Sequence, residues 1–204
     1  MSRFLSHLFS VVFHPVFVNL LNLWLLFALF PPLSHGIPQK RQLFYISFIF
    51  ISTSIIPLIM VFVLRFTSRI NSVMLHQKKD RFIPYLITLL MYIFNYYNFY
   101  SYNSKYSTHP LIISYVIACA AIVGLVMAIN FFSKISIHTA TLGALAGLIT
   151  VAGRYSEIDI RLLLMLIFII SGCVASSRIF LNAHQNMQVY SGFLLGFLLM
   201  FFML

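Results

Sequence analysis

An arginine and a histidine near the C-terminus have a spacing suited to phosphate chemistry. The segment reads Ser177-Arg178, five residues, His184, three residues and Gln188, and it lies between two apolar runs. Arginine presents a planar fork of donors that matches phosphate oxygens, and histidine can act as a nucleophile or proton carrier. Because ionisable groups are costly near a bilayer, the cluster indicates a functional site. The plainer alternative is that Arg178 only anchors a helix end.

Two further polar segments lie upstream, each beside an apolar run. Lys134, Ser136 and His138 alternate with apolar residues, and Arg81 lies three residues before Pro84. If the third to seventh apolar runs are all membrane spans, these segments and the C-terminal one emerge on the same face. The sequence therefore predicts one pocket that contains Arg81, Lys134, Ser136, His138, Arg178 and His184. An interfacial anchor is an equally good interpretation of Lys134.

The composition is that of an integral membrane protein. Of the 204 residues, 61% are hydrophobic and 8% are charged, with a mean hydropathy of +0.98, whereas a soluble domain carries about 25% charged residues. The net charge of +10 comes from basic residues in short connections between apolar runs. This pattern favours anionic lipid headgroups or a phosphorylated lipid as partners, and argues against nucleic acid. Cys119 and Cys173 lie inside apolar runs and suggest neither a disulfide framework nor a metal site.

The apolar runs predict an all-α bundle of six or seven transmembrane helices in a single domain, 1–204. Residues 1–14 read as an interfacial helix whose apolar side holds Phe4, Leu5, Leu8, Val11 and Val12. Most of the later runs hold the roughly 17 to 25 residues that a spanning helix needs. They cover about 15–30, 43–64, 84 to the tyrosine-rich end at 96–102, 110–132, 139–153, 160–176 and 189–204, with Pro57 expected to kink the second. Small residues predict packing seams on the fifth and seventh helices; these are Ala140, Gly143, Ala144, Gly147, Gly192 and Gly196.

The polar segments resemble the three-part signature of the type-2 phosphatidic acid phosphatase superfamily. Its third motif, S-R-x5-H-x3-D, matches Ser177 to Gln188 in spacing, with glutamine in place of the aspartate. Its second motif, P-S-G-H, is similar to 135–138, which keeps Ser136 and His138. Its first motif, K-x6-R-P, has its nearest counterpart at Arg81 and Pro84. The resemblance covers the chain from about Arg81 to its end.

The resemblance implies a role for each matching residue. His184 would attack phosphorus to form a phosphohistidine, with Gln188 at the position that orients it, and His138 would protonate the leaving alkoxide. Arg178 and Arg81 would hold the phosphoryl oxygens. Ser136 and Ser177 would join this phosphate site. From their positions, and not from a rule of the family, we infer that Lys134, Lys78 or Lys79 replaces the missing motif lysine. Neither a metal nor a cofactor is expected, because phosphoryl transfer depends mainly on positioning and electrostatics.

Two departures from the family pattern leave two functions open. Gln188 orients an imidazole but stabilises its positive charge less than a carboxylate does, and Ile137 replaces a glycine that allows close approach of the backbone. The leading hypothesis is a lipid phosphatase of a bacterial inner membrane. The alternative is a non-catalytic subunit that binds a lipid phosphate or serves a structural role. Basic residues occur on both predicted faces, so the sidedness of the site stays open.

Overall fold

The computed structural model describes residues 2–70, 75, 77–106, 109–155 and 159–204, the side chains of 102–106 excepted. All regular structure in these residues is helical. The chain divides into two compact units. We call Met1–Ile46 with Ile135–Leu204 the terminal unit, and Ser47–Lys134 the central unit. The sequence predicts a single domain, and this division into two units does not test that prediction.

Ten α-helices and one π-helical segment follow one another along the described chain. They are α1 Arg3–Val12, α2 Pro15–Leu29, α3 Pro31–Ser34, α4 Gln39–Phe50, the π-helical segment Ile51–Ile55, α5 Ile56–Phe66, α6 Lys78–Tyr106, α7 Pro110–Asn130, α8 Ile137–Ala152, α9 Arg161–Phe180 and α10 Asn186–Met203. The predicted starts at Pro15 and Pro110 are confirmed, since proline fits the first turn of a helix. Pro84 instead lies inside α6.

Among the described residues, four helical stretches are long and apolar enough to cross a membrane. They are Gln39–Phe66, Pro110–Asn130, Arg161–Phe180 and Asn186–Met203. The pair α1 and α2, bent by 45°, makes a fifth if it is one broken span. The structure thus bears out an all-helical protein with four or five candidate spans, and six or seven are not confirmed. The 16 residues of α8 extend only about 24 Å, less than the roughly 30 Å of bilayer hydrocarbon.

The terminal unit is organised around α8. Nearly every residue of α8 is buried, and α2, α9 and α10 all pack on it. The predicted seam of small residues is confirmed: a Cβ on Gly147 would lie 2.7 Å from the Phe197 carbonyl oxygen, and one on Gly196 would overlap the Ala140 carbonyl. Only glycine lets the two backbones approach this closely. The seam therefore fixes the position of α8 along α10.

The N-terminal helix α1 packs on α9 through its polar side. Ser6 and Ser10 are buried, whereas the five apolar residues predicted to share one face of the helix are exposed. This arrangement leaves the apolar face of α1 exposed while its polar side packs on α9. The chain then bends at Phe13 and His14 before α2 begins.

The central unit contains a hydrogen-bonded polar pair between its helices. The amide nitrogen of Asn95 in α6 donates to the Ser52 hydroxyl at 2.8 Å, and Ser52 lies in the π-helical segment just before Pro57. Pro57 was expected to kink this run. It follows the π-helical segment, which is a local widening of the helix, and it lacks the N–H that a regular helical turn uses. Pairs of this kind hold helices together in lipid.

Candidate functional site

The end of α9 brings Arg178 and His184 together by a Schellman turn. Asn182 adopts a left-handed conformation with φ of 51°. Its N–H donates to the Ile179 carbonyl at 2.9 Å, and the N–H of Ala183 donates to the Arg178 carbonyl at 3.0 Å, which is the pattern that defines this helix end. The His184 N–H also donates to the Arg178 carbonyl, at 3.3 Å. The five residues between Arg178 and His184 thus form the turn that places His184 beside Arg178.

Substitutions at Asn182 should change stability in opposite directions. Asn182→Gly should leave the free energy of unfolding unchanged or raise it by up to about 1 kcal/mol, because glycine adopts positive φ without strain. Asn182→Val should lower it by about 1–3 kcal/mol, since a β-branched residue is strained there. Unfolding of the purified variants in mixed detergent micelles measures both. Equal stability of the two variants would contradict this account of the turn.

The start of α8 positions the second polar segment against α10. Ser136 is the N-cap of α8, and its backbone N–H donates to the Gln188 carbonyl at 3.1 Å. A Cβ on Gly192 would lie 2.6 Å from the Ser136 carbonyl oxygen, so this glycine allows the close approach. The Ser136 hydroxyl is fully buried and has no hydrogen-bond partner. His138 follows in the first turn of α8 and is itself buried.

Three basic side chains of the terminal unit lie near His138. The His138 ring donates an N–H to the Ser10 carbonyl of α1, and Arg178, His14 and His184 all lie near enough to act on its charge. The rings of His14 and His138 are nearly perpendicular, with centroids 5.4 Å apart. We call His14, His138, Arg178 and His184 the histidine cluster. The structure thus brings together three of the predicted site residues, His138, Arg178 and His184.

His14 was missed by sequence reasoning. In the sequence His14 is the last residue of the predicted interfacial helix, where a histidine is indistinguishable from an ordinary interfacial residue. One available signal was the His14-Pro15 pair, because a polar residue before proline at a helix start is a capping position. The structure confirms the cap: the Val16 N–H donates to His14 Nδ1 at 3.4 Å.

The cluster has no carboxylate near it in the described part of the terminal unit. The only acidic residue described there is Asp159. Asp159 pairs with Arg161 at 3.1 Å, at the opposite end of α9 from Arg178, which is about 26 Å away along the helix. No three His, Cys, Asp or Glu side chains among the described residues are placed to hold a metal ion. The charge of this site is therefore suited to an anion.

Gln188 and His184 do not lie on one helix, so regular helical spacing does not place Gln188 at the position that orients His184. α10 begins at Asn186 with Gln185 as its N-cap, so His184 precedes the helix. The Gln188 side-chain oxygen accepts from the Gln185 N–H at 3.1 Å, and the Gln185 side chain accepts from the Gln188 N–H in return. This capping box fixes the start of α10. Helical i, i+4 spacing therefore cannot be the means by which Gln188 orients His184.

The remaining predicted residues have other local partners. The Ser177 hydroxyl donates to the Cys173 carbonyl at 2.7 Å within α9. Arg81 and Lys134 belong to the central unit, where buried Arg81 donates from Nε to the Leu75 carbonyl at 2.8 Å. Lys78 donates to the Phe132 carbonyl at 2.7 Å. The convergence of Arg81 and Lys134 with the histidine cluster stays a prediction, and residues 71–74 and 76 of the same basic stretch lie outside the described residues.

No protein-family model, no curated protein and no solved structure matches this chain. The resemblance to the phosphatase superfamily therefore depends on the three motifs alone.

Proposed function

We propose that this protein is a metal-independent membrane phosphatase that hydrolyses a phosphomonoester or diphosphate of a lipid through a phosphohistidine. The observation that carries the proposal is the histidine cluster: three imidazoles and a guanidinium lie together, with no described carboxylate of the terminal unit near them. Such a site neutralises the charge of a phosphoryl group, and its imidazoles supply a nucleophile and an acid.

The reaction divides into two steps at this site. His184 attacks phosphorus through an imidazole nitrogen, the bond to the lipid oxygen breaks, and His138 gives a proton to the leaving alkoxide. Water then attacks the phosphohistidine, with His138 as the base that takes its proton, and releases phosphate and free His184. Arg178 holds the phosphoryl oxygens throughout. The N-terminal end of α8, which carries a partial positive charge, adds to this stabilisation.

The depth of the cluster fits an amphiphilic substrate. Arg178 lies in the last turn of the candidate span α9, and the end of a span is the level of lipid headgroups. A phosphate on an acyl or prenyl chain reaches this depth while its chain stays in the hydrocarbon. Phosphatidate, phosphatidylglycerol phosphate, a polyprenyl diphosphate and a lipid A phosphate all satisfy this requirement. We propose a bacterial inner membrane as the location of the protein.

The second candidate function is a non-catalytic subunit that binds a lipid phosphate. The observation that favours it is the engagement of Gln188 in the capping box of α10. In the superfamily that this chain resembles, the corresponding aspartate orients the nucleophile. A binding protein needs the positive cluster but not an oriented nucleophile. Binding of a phosphorylated lipid without release of phosphate would support this function.

Phosphate release from a short-chain phosphatidate by the purified protein tests the proposal. We expect the parent to release phosphate and Arg178→Lys to lower kcat/KM by about 100-fold, because lysine keeps the charge but loses the two-pronged contact with phosphate oxygens. Arg154→Lys is the matched control. Arg154 lies just beyond the other end of α8 over the Phe201 ring, 4.7 Å from its centroid, and lysine preserves that cation–π contact.

The possible results test the phosphatase activity and the role of Arg178 separately. A parent that releases no phosphate would contradict phosphatase activity on this substrate. An active parent in which Arg178→Lys matches Arg154→Lys would show that Arg178 does not hold the phosphate.

A further inference from the structure

We propose that His14, at the bend between α1 and α2, is a third imidazole of the phosphate site and donates a hydrogen bond from Nε2 to a phosphoryl oxygen. This inference rests on the proposed function in that it assigns a further ligand to the same phosphate. None of the three motifs includes His14, and only the packing of α1 on α9 and of α2 on α8 brings it to His138.

The helix cap fixes which nitrogen of His14 carries the proton. Nδ1 accepts the Val16 N–H at 3.4 Å, so it presents a lone pair to the start of α2. A neutral imidazole has one donor and one acceptor, and the proton must therefore lie on Nε2. Nε2 is separated from Nδ1 by a carbon of the ring, so it stays available while the cap is formed. His14 is thus held as a neutral donor with a defined tautomer.

The neighbours of His14 favour an anion at this donor. Burial disfavours a positive charge on the His14 ring and the Arg178 guanidinium repels one, and both effects support the neutral form. His138 is already committed through one ring N–H to the Ser10 carbonyl. Ser10 and Ser136 are 7% and 0% exposed, and their buried hydroxyls have no hydrogen-bond partner. Buried polar groups without partners are rare, and two beside one cluster indicate that a polar ligand completes it.

A neutral imidazole is a useful donor for phosphoryl transfer. It stabilises the negative charge on an equatorial oxygen without adding a positive charge that would compete with protonation of His138. His138 must be protonated when it gives its proton to the leaving alkoxide, and its burial and the nearby Arg178 already oppose that protonation. The site therefore gains more from a neutral donor than from another cation.

The experiment compares two histidines that cap helices in the same way. His109 precedes Pro110, and its Nδ1 accepts the Leu111 N–H at 3.3 Å, as His14 does before Pro15. Asparagine is a strong N-cap, so His14→Asn and His109→Asn both keep the cap and lose the imidazole. The purified full-length variants are assayed for vanadate binding by calorimetry and for phosphate release from short-chain phosphatidate, with thermal unfolding as the measure of folding.

We expect His14→Asn to weaken vanadate binding by about tenfold or more and to lower kcat/KM by about 100-fold, while His109→Asn stays within twofold of the parent in both. Both variants should unfold near the parent temperature. If the parent binds vanadate but releases no phosphate, the same loss in His14→Asn alone still supports the phosphate ligand while the phosphatase proposal fails. Vanadate affinity of His14→Asn equal to that of His109→Asn, or no binding by the parent, would overturn the inference.

Discussion

Replacing His184 by alanine should abolish phosphate release. Removal of a catalytic nucleophile lowers turnover by about 10⁶-fold in a well-studied hydrolase, and here it also removes the atom that bonds to phosphorus. A loss of this size corresponds to about 8 kcal/mol of transition-state stabilisation. The measurement is release of phosphate from a radiolabelled short-chain phosphatidate. Acid quenching of the parent during turnover should also trap an acid-labile phosphoprotein that is missing from His184→Ala.

His35→Ala is the control for this experiment. His35 is an exposed residue that follows α3, beyond the opposite end of α2 from His14, and its loss should leave turnover within twofold of the parent. Because His184 is buried, its removal could also disturb packing, and unfolding of the variant in micelles measures that effect separately. A correctly folded His184→Ala that releases phosphate within tenfold of the parent rate would exclude a phosphohistidine at this position.

The second large effect is expected at the contact between α8 and α10. Gly196→Ala should lower the free energy of unfolding by about 3 kcal/mol, the upper part of the range for overpacking. Its added Cβ would overlap the carbonyl oxygen of Ala140 and lie 2.9 Å from the Ala144 nitrogen. These are backbone atoms, so the two helices must separate to admit the methyl group. Titration with a denaturing detergent, followed by circular dichroism, gives the change in stability.

Gly172→Ala is the matched substitution on α9. A Cβ at Gly172 would have no atom within 4 Å, so the change tests helix propensity without a clash. It should leave stability unchanged or raise it by up to about 1 kcal/mol. Equal destabilisation by Gly172→Ala and Gly196→Ala would mean that the seam is not closely packed.

Several features follow from the sequence because they depend on local chemistry. Helices begin at Pro15 and Pro110, since proline fixes the backbone angle of a first helical turn and needs no N–H partner there. The seam at Gly143, Gly147 and Gly196 was predicted because lipid offers no hydrophobic drive and small residues permit close packing. The spacing between Arg178 and His184 was readable as a motif, although its physical basis is a turn with Asn182 in the left-handed region.

The described residues contain four or five candidate membrane spans, and the predicted six or seven are not confirmed, because apolar runs do not determine helix ends. The run at 139–153 forms α8, which is too short to qualify as a span and is instead the buried centre of the terminal unit. The run that was expected to open at Pro84 is part of α6, which begins at the charged residues Lys78 and Lys79. Hydropathy measures the preference of each residue for an apolar surrounding, and it does not distinguish lipid from the interior of a helical bundle.

The composition by itself predicted a helical protein with several apolar helices long enough to span a membrane, and the three motifs selected His138, Arg178 and His184 as candidate site residues. Only the tertiary structure decided that His14 and the Ser10 carbonyl lie beside His138. The physical reason is the separation along the sequence between the residues that interact. Helix starts, turns and packing seams depend on residues a few positions apart, whereas the contact of His14 with His138 requires α1, α2, α8 and α9 to pack together first.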